Sequence, residues 1–128
     1  ILKGIMTADE AELAVQAGVD AIVVSNHGGR VLDQTPGIAD VLPEIAEAVK
    51  GKVTILADGG VRNGVDVLKM LALGADAVLI GRPFVTASFG GQREGVKDYI
   101  ESLKSELKSA MVLTGCKTVK DVTNRILY

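Results

Sequence analysis

Gly18-Val19-Asp20-Ala21-Ile22-Val23 recurs further along the chain as Gly74-Ala75-Asp76-Ala77-Val78-Leu79, and these two stretches decide the fold. In each, a glycine stops a helix, a short turn follows, and an apolar run begins a strand. Thr7-Ala8-Asp9-Glu10 lies upstream of the first copy and is a capping box that opens a helix running to about Ala17. Upstream of the second, a loop over Asp58 to Asn63 leads into a helix ending near Leu73. The apolar runs Ile1–Ile5, Ala21–Val24, Val53–Ala57 and Ala77–Ile80 read as strands, and Ile38–Val49 as a further helix. From about Phe84 onward the chain reads as mostly helical. It has a short turn to Phe89, an amphipathic stretch from about Gln92 to Leu113, and a final turn over Val119 to Asn124. The strands are continuous rather than alternating runs, the pattern of strands covered on both faces. Helices between them require a parallel sheet. The chain is thus α/β, one domain over residues 1–128 made of two βαβα units in tandem. Four βα units are half of a (β/α)8 barrel. An open doubly wound sheet is the alternative.

Composition narrows the function. At 128 residues the chain is one domain, and 48% apolar with 23% charged residues excludes wholesale disorder. A net charge of −2 argues against a nucleic-acid or anionic-membrane partner. No apolar run approaches the ~20 residues that span a bilayer. A single cysteine, Cys116, leaves no disulfide and no paired-cysteine metal site, and favours a reducing, cytoplasmic setting. The sequence opens at Ile1 inside a strand, without a Met, and so reads as part of a longer protein.

Every strand ends in residues unusual for a plain turn, and in a βα barrel those ends form the active-site face. Lys3 is a cation inside the first apolar run. It either snorkels to solvent or holds positive charge near a ligand that becomes anionic. Ser25-Asn26-His27-Gly28-Gly29-Arg30 follows the second strand and carries the only histidine. An imidazole can take a proton near neutral pH, and a guanidinium three residues on can clamp a carboxylate with two parallel hydrogen bonds. The bland reading is a hydrogen-bonded loop histidine, with Arg30 paired to Asp33. Asp58-Gly59-Gly60-Val61-Arg62 and Gly81-Arg82-Pro83 follow the last two strands. Their glycines and arginines suit a phosphate, held by backbone amides, a helix N-terminus and two guanidinium groups. Asp58 has the wrong sign for the phosphate and suits a hydroxyl donor instead. A barrel's phosphate site sits after its seventh and eighth strands, which makes these strands five to eight. The bland readings elsewhere are a solvated face from Glu94 to Lys108, core methionines at 6, 70 and 111, and no phenol chemistry, because Tyr99 and Tyr128 both fall late in the chain.

These loops, in this order, resemble those of the FMN-dependent α-hydroxy acid oxidases and dehydrogenases. The similarity runs through nearly the whole chain and matches the C-terminal half of that family. It rests on Leu2-Lys3-Gly4, Ser25 to Arg30, Asp58 to Arg62 and Gly81-Arg82-Pro83. The Ser-Asn-His-Gly-x-Arg block is the specific part; the others are shared with other phosphate-binding barrels. The resemblance implies oxidation of an L-2-hydroxy acid of lactate or glycolate type to the 2-oxo acid. It implies His27 as base, Arg30 on the substrate carboxylate, and Lys3 stabilising negative charge on reduced FMN. Ser25 would lie near the flavin and Asp58 on its ribityl chain. Gly59, Gly60, Arg62, Gly81 and Arg82 would hold its phosphate. No metal is implied. Val31 stands where the family usually has Gln, and the half of the barrel that orients the histidine is not in this sequence.

Two other readings stay open. One is a non-redox phosphate-binding barrel fragment, which would leave His27 and Arg30 without a task. The other is a self-associating half-barrel without catalysis. An open four-stranded sheet exposes two edges, so the chain is expected to form a homo-oligomer or to pair with a missing N-terminal half, and to turn over poorly alone.

Overall fold

Strand and helix alternate four times, and consecutive strands lie side by side. The computed structural model describes residues 1–127; Tyr128 lies outside them. Strands β1 (Leu2–Ile5), β2 (Ala21–Val24), β3 (Thr54–Ala57) and β4 (Ala77–Val78) form one parallel sheet in the order β1-β2-β3-β4. A doubly wound sheet would reverse its strand order at a switch point. This one does not, and the half-barrel reading stands. Helices α1 (Ala8–Gln16), α2 (Ile38–Val49), α3 (Gly64–Ala72) and α4 (Arg82–Leu113) follow the four strands. The extra C-terminal elements are two short 3-10 turns, Val119–Asp121 and Asn124–Ile126.

The repeat is physical. Gly18 and Gly74 both take positive φ, 78° and 120°, a region open to glycine without steric cost. Each donates to the carbonyl three residues back, Val15 and Leu71, and the next amide reaches five back, Val19 to Ala14 and Ala75 to Met70. This is the glycine-stopped helix end that redirects the chain into a strand. The copies diverge at the aspartate: Asp76 Oδ2 accepts from Ile55 N at 2.8 Å and ties β4 to β3.

All four residues of β2 are buried. Ile38, Leu42, Ile45, Ala46 and Val49 form the buried stripe of α2, at the spacing of one helix face, and cluster with Ile22, Val24, Ile55 and Ala57. Burying one such Leu or Ile contributes about 1.5–3 kcal/mol. Burial on both faces, expected of all four strands, holds for β2 alone. In β1 only Ile5 is buried, and Ala77 of β4 is exposed. β1 and β4 are the sheet's edges, with no strand beyond them among the described residues, while β3, inside the sheet, still leaves Thr54 exposed and Leu56 half-buried.

α4 is broken at Gln92 (φ 49°, ψ −133°), just after Gly90-Gly91. The expected short turn near Phe84 is therefore a helical piece beginning at Arg82, and the amphipathic stretch is the second piece. That second piece packs Ala110 against Leu68 and Ala72 of α3, with Cys116 and Val122 closing a smaller core. Met70 is buried in the main core, and Met6 and Met111 pack at core margins.

At the start of α1, Thr7 accepts from Glu10 N at 3.3 Å, while Glu10 Oε2 accepts from Met6 N at 2.8 Å rather than from Thr7 N. The capping box thus reaches one residue further back than its sequence pattern implies. Thr7→Ala is expected to cost about 1 kcal/mol, read as a lower urea midpoint at unchanged slope.

Candidate functional site

The C-terminal ends of the four strands surround a cleft of about 400 Å³. Lys3, His27, Arg30, Asp58, Gly59, Gly60, Arg62, Gly81 and Arg82 all line it. Ser25 does not; it is buried beneath, 1% exposed, and acts as the hub. Its hydroxyl accepts from Lys3 Nζ at 2.5 Å and from His27 N at 3.1 Å. Both lone pairs are then used, which leaves its own proton to donate.

His27 opens a short 3-10 turn, His27–Gly29, in the left-handed region at φ 56°. Histidine visits that region more readily than most residues, but such a conformation still costs of order 1–3 kcal/mol. The turn is held by Ser25 Oγ on the His27 amide, by Asn26 Oδ1 on Gly28 N at 3.0 Å, and by Asn26 O on Gly29 N. Asn26 in turn donates to Thr35 Oγ1 and Pro36 O, both at 3.4 Å, tying the loop to its own far end. The result aims an exposed imidazole at the cleft on a fixed backbone. The Arg30–Asp33 ion pair, the bland alternative, does not form. Among the described residues the side chains of His27, Arg30, Arg62 and Arg82 make no hydrogen bond or ion pair.

Lys3 does not snorkel away. Its ammonium pairs with Asp58 Oδ2 at 2.5 Å. The other oxygen, Asp58 Oδ1, is buried with no partner among the described residues. A buried acceptor without a donor costs about 1–3 kcal/mol, and a hydroxyl donor placed here would relieve that cost.

The phosphate reading invokes a helix N-terminus without saying which. At the start of α3 the amides of Gly64 and Asp66, and that of Arg62 just before it, are spent internally. Arg62 N donates to Asp66 Oδ2 at 3.0 Å, Gly64 N to Glu106 Oε2 at 2.8 Å, and Asp66 N to Asn63 Oδ1 at 2.8 Å. Two of those caps are carboxylates, which repel an anion. The N-terminus of α4 is different: Gly81 supplies no side-chain cap, and Pro83 has no amide to offer. Among the described residues the amides of Gly59, Gly60, Gly81 and Arg82 have no protein acceptor. A Cβ on Gly28 would stand 3.5 Å from the Arg82 guanidinium, so Arg82 reaches across the cleft to the His27 turn. Among the described residues, four cations thus face a cleft whose only carboxylate, Asp58, is already paired, in a chain that is net negative. A cleft of that charge attracts anions.

Two contributors went unread in the sequence. Tyr99 donates its hydroxyl to Arg62 O at 2.7 Å and sets its ring edge-on to Phe84, centroids 4.9 Å apart. Glu106 holds Gly64, as above. Both lie in the stretch expected to be a bland solvated face. Helical spacing and charge give no signal for such contacts, because the partner is main chain 37 and 42 residues away.

The family described as FMN-dependent dehydrogenase matches residues 1–128. Among curated relatives, an L-lactate oxidase of Lactobacillus jensenii is 54% identical over 94% of this chain and 30% of its own length. A peroxisomal (S)-2-hydroxyacid oxidase of Arabidopsis thaliana is 54% identical over 96% of this chain and 34% of its own length. A solved mandelate oxidase variant bearing a monooxide FMN adduct superposes with a TM-score of 0.92 at 48% identity, over 94% of this chain and 38% of that one. The chain therefore spans about a third of the length of the relatives it matches. Among the described residues no helix is long and apolar enough to cross a membrane.

Proposed function

Because the chain belongs to the FMN-dependent dehydrogenase family, we propose that its cleft is the FMN- and carboxylate-binding part of an enzyme oxidising an L-2-hydroxy acid, of lactate or glycolate type, to the 2-oxo acid. The observation that carries the proposal is the pairing of four cations with a buried, unpartnered carboxylate oxygen in one cleft. FMN presents both complements: a phosphate for the cations, and a ribityl chain whose hydroxyls can donate to Asp58 Oδ1. The unpartnered amides of Gly59, Gly60, Gly81 and Arg82, with the Arg62 and Arg82 guanidinium groups, suit that phosphate. The residues present therefore fit the group.

When bound, FMN supplies a two-electron acceptor. The chain's own residues do the rest. Arg30 clamps the substrate carboxylate in a two-pronged pair. His27 takes one of the two protons the hydroxy acid gives up, at a ring nitrogen, while the other leaves with the two electrons to the acceptor. Lys3, fixed by Ser25 and Asp58, holds positive charge where negative charge develops. Ser25 keeps both cation and histidine turn in register.

We further propose that residues 1–128 are strands five to eight of the barrel. Both sheet edges then need partners, either the rest of a longer chain or a second copy of this one. The reading places the protein in a reducing compartment, the cytoplasm in the first instance.

The test is an anaerobic FMN titration of the chain by fluorescence, followed by excess L-lactate and glycolate. Quenching at micromolar protein, with bleaching on addition of the acid, is the result expected of a site completed by a partner. Quenching without bleaching keeps the cofactor half and shows that turnover needs the missing strands. No quenching overturns the proposal. Light scattering in parallel reads the partner: a monodisperse monomer removes the second copy.

A further inference from the structure

We propose that Tyr99 and Glu106 of α4 are positioning residues, a two-point clamp that fixes the β3–α3 loop in the shape an anion needs. The inference rests on the cofactor reading above and concerns residues that reading leaves without a task.

The loop over residues 58–63 carries Asp58, Gly59, Gly60 and Arg62, four of the residues assigned to the cofactor. Two of its glycines take positive φ, 86° at Gly59 and 79° at Gly60, so backbone torsion alone does not hold it. Its far end is gripped instead. Tyr99 Oη donates to Arg62 O at 2.7 Å. Two residues on, Gly64 N donates to Glu106 Oε2 at 2.8 Å. Glu106 is itself steadied by Ser102 Oγ, which donates to its other oxygen at 3.1 Å. One face of α4 therefore holds a carbonyl and an amide on either side of Asn63, which fixes the plane of the chain there.

A second observation supports the clamp. α3 and α4 meet so closely at Gly64 that a Cβ there would strike the backbone nitrogen of Leu107. Loop and helix are thus built to touch at this point. The Tyr99 phenol is held above its usual range, first by burial and then by the carboxylates of Glu106 and Asp66. It stays protonated, and a donor, throughout the neutral range.

The clamp also explains how an anion site tolerates carboxylates nearby. Asp66 and Glu106 spend their charge on Arg62 N and Gly64 N, on the α3 side. What the loop turns toward the cleft is Gly59, Gly60 and the Arg62 side chain.

The experiment compares wild type, Tyr99→Phe, Glu106→Ala and Glu106→Gln as full chains. Tyr99→Phe keeps the ring against Phe84 and removes only the hydroxyl. Amide hydrogen exchange is read at Arg62, Gly64, Asp66 and Val67 against the core amides of β2 and β3. FMN affinity is read by fluorescence against riboflavin, which lacks the phosphate. In Tyr99→Phe and Glu106→Ala, exchange at the loop is expected to rise about fivefold, the worth of one net hydrogen bond, with the core unchanged. FMN affinity falls by about the same factor while riboflavin affinity holds. Glu106→Gln, which keeps an acceptor for Gly64 N, restores both. Loop exchange at wild-type rates overturns the clamp, as does equal acceleration across the core. Equal weakening of FMN and riboflavin overturns its link to the anion. If wild type binds neither flavin, the cofactor reading fails and hydrogen exchange alone decides the clamp.

Discussion

His27→Asn lowers the rate of FMN reduction by an L-2-hydroxy acid by about 10²- to 10⁴-fold, the range lost with a general base. FMN affinity stays within about twofold of wild type, as for an exposed residue outside the packed core. Asparagine is the right replacement because His27 sits at φ 56°, a left-handed conformation that Asn tolerates well. The backbone grip of Ser25 Oγ on the residue-27 amide survives, so the turn and Arg30 keep their places. Only the proton acceptor is lost. The measurement is anaerobic stopped-flow reduction in whatever assembly supports turnover, with FMN binding measured on the same preparation. An unchanged rate removes His27 from the chemistry. A collapse of FMN affinity along with the rate makes it a structural residue, whose left-handed turn mattered more than its ring.

The sequence carries more of this cleft's lining than of its supports, for a physical reason. Residues that touch a ligand through charge or bare backbone belong to a small set of types, and they cluster behind strands. Lys3, His27, Arg30, Asp58, Gly59, Gly60, Arg62, Gly81 and Arg82 were legible on those grounds, and the fold brings all of them to one cleft. The fold itself was legible because Gly18 and Gly74 punctuate a repeat whose period is a βαβα unit. What stayed hidden was work done at long range on main-chain atoms. Nothing in Tyr99 announces that its hydroxyl will find Arg62 O, and Glu106 looks like any solvent-facing helix carboxylate. The same blindness left open which helix N-terminus could face an anion. A helix start beside an arginine reads as an anion site, until Asp66 is seen to take Arg62 N and Glu106 and Asn63 to take the amides of Gly64 and Asp66. Burial fell short at β1 and β4, the sheet's edges, and in part at β3, because strand composition reports what a strand can pack against and not whether the described residues supply it.

Those hidden contacts predict the second large effect. Gly64→Ala is expected to destabilise the chain by about 3 kcal/mol or more. The ordinary expectation has the opposite sign, since alanine is preferred to glycine inside a helix by about 1 kcal/mol. Gly64 is the first residue of α3 and has no positive φ to forgive. Space decides the sign. A Cβ at this position would collide with Leu107 N and with the carbonyl carbon and Cβ of Glu106. Those are backbone atoms or atoms attached directly to it, on a helix held by its own hydrogen bonds, so no rotamer change relieves the clash. α4 would have to move away from α3. That motion separates Ala110 from Leu68 and Ala72 and opens the smaller core. It also pulls Glu106 from Gly64 N and Tyr99 from Arg62 O. Chemical denaturation reads the loss as a shifted midpoint. A paired Gly115→Ala control separates clash from simple glycine replacement. At Gly115 a Cβ meets nothing, but φ is 74°, so the cost there is backbone strain of about 1–2 kcal/mol. If Gly64→Ala is as stable as wild type, the close approach of α3 and α4 is wrong. The two-point clamp, which depends on that approach, then loses its footing.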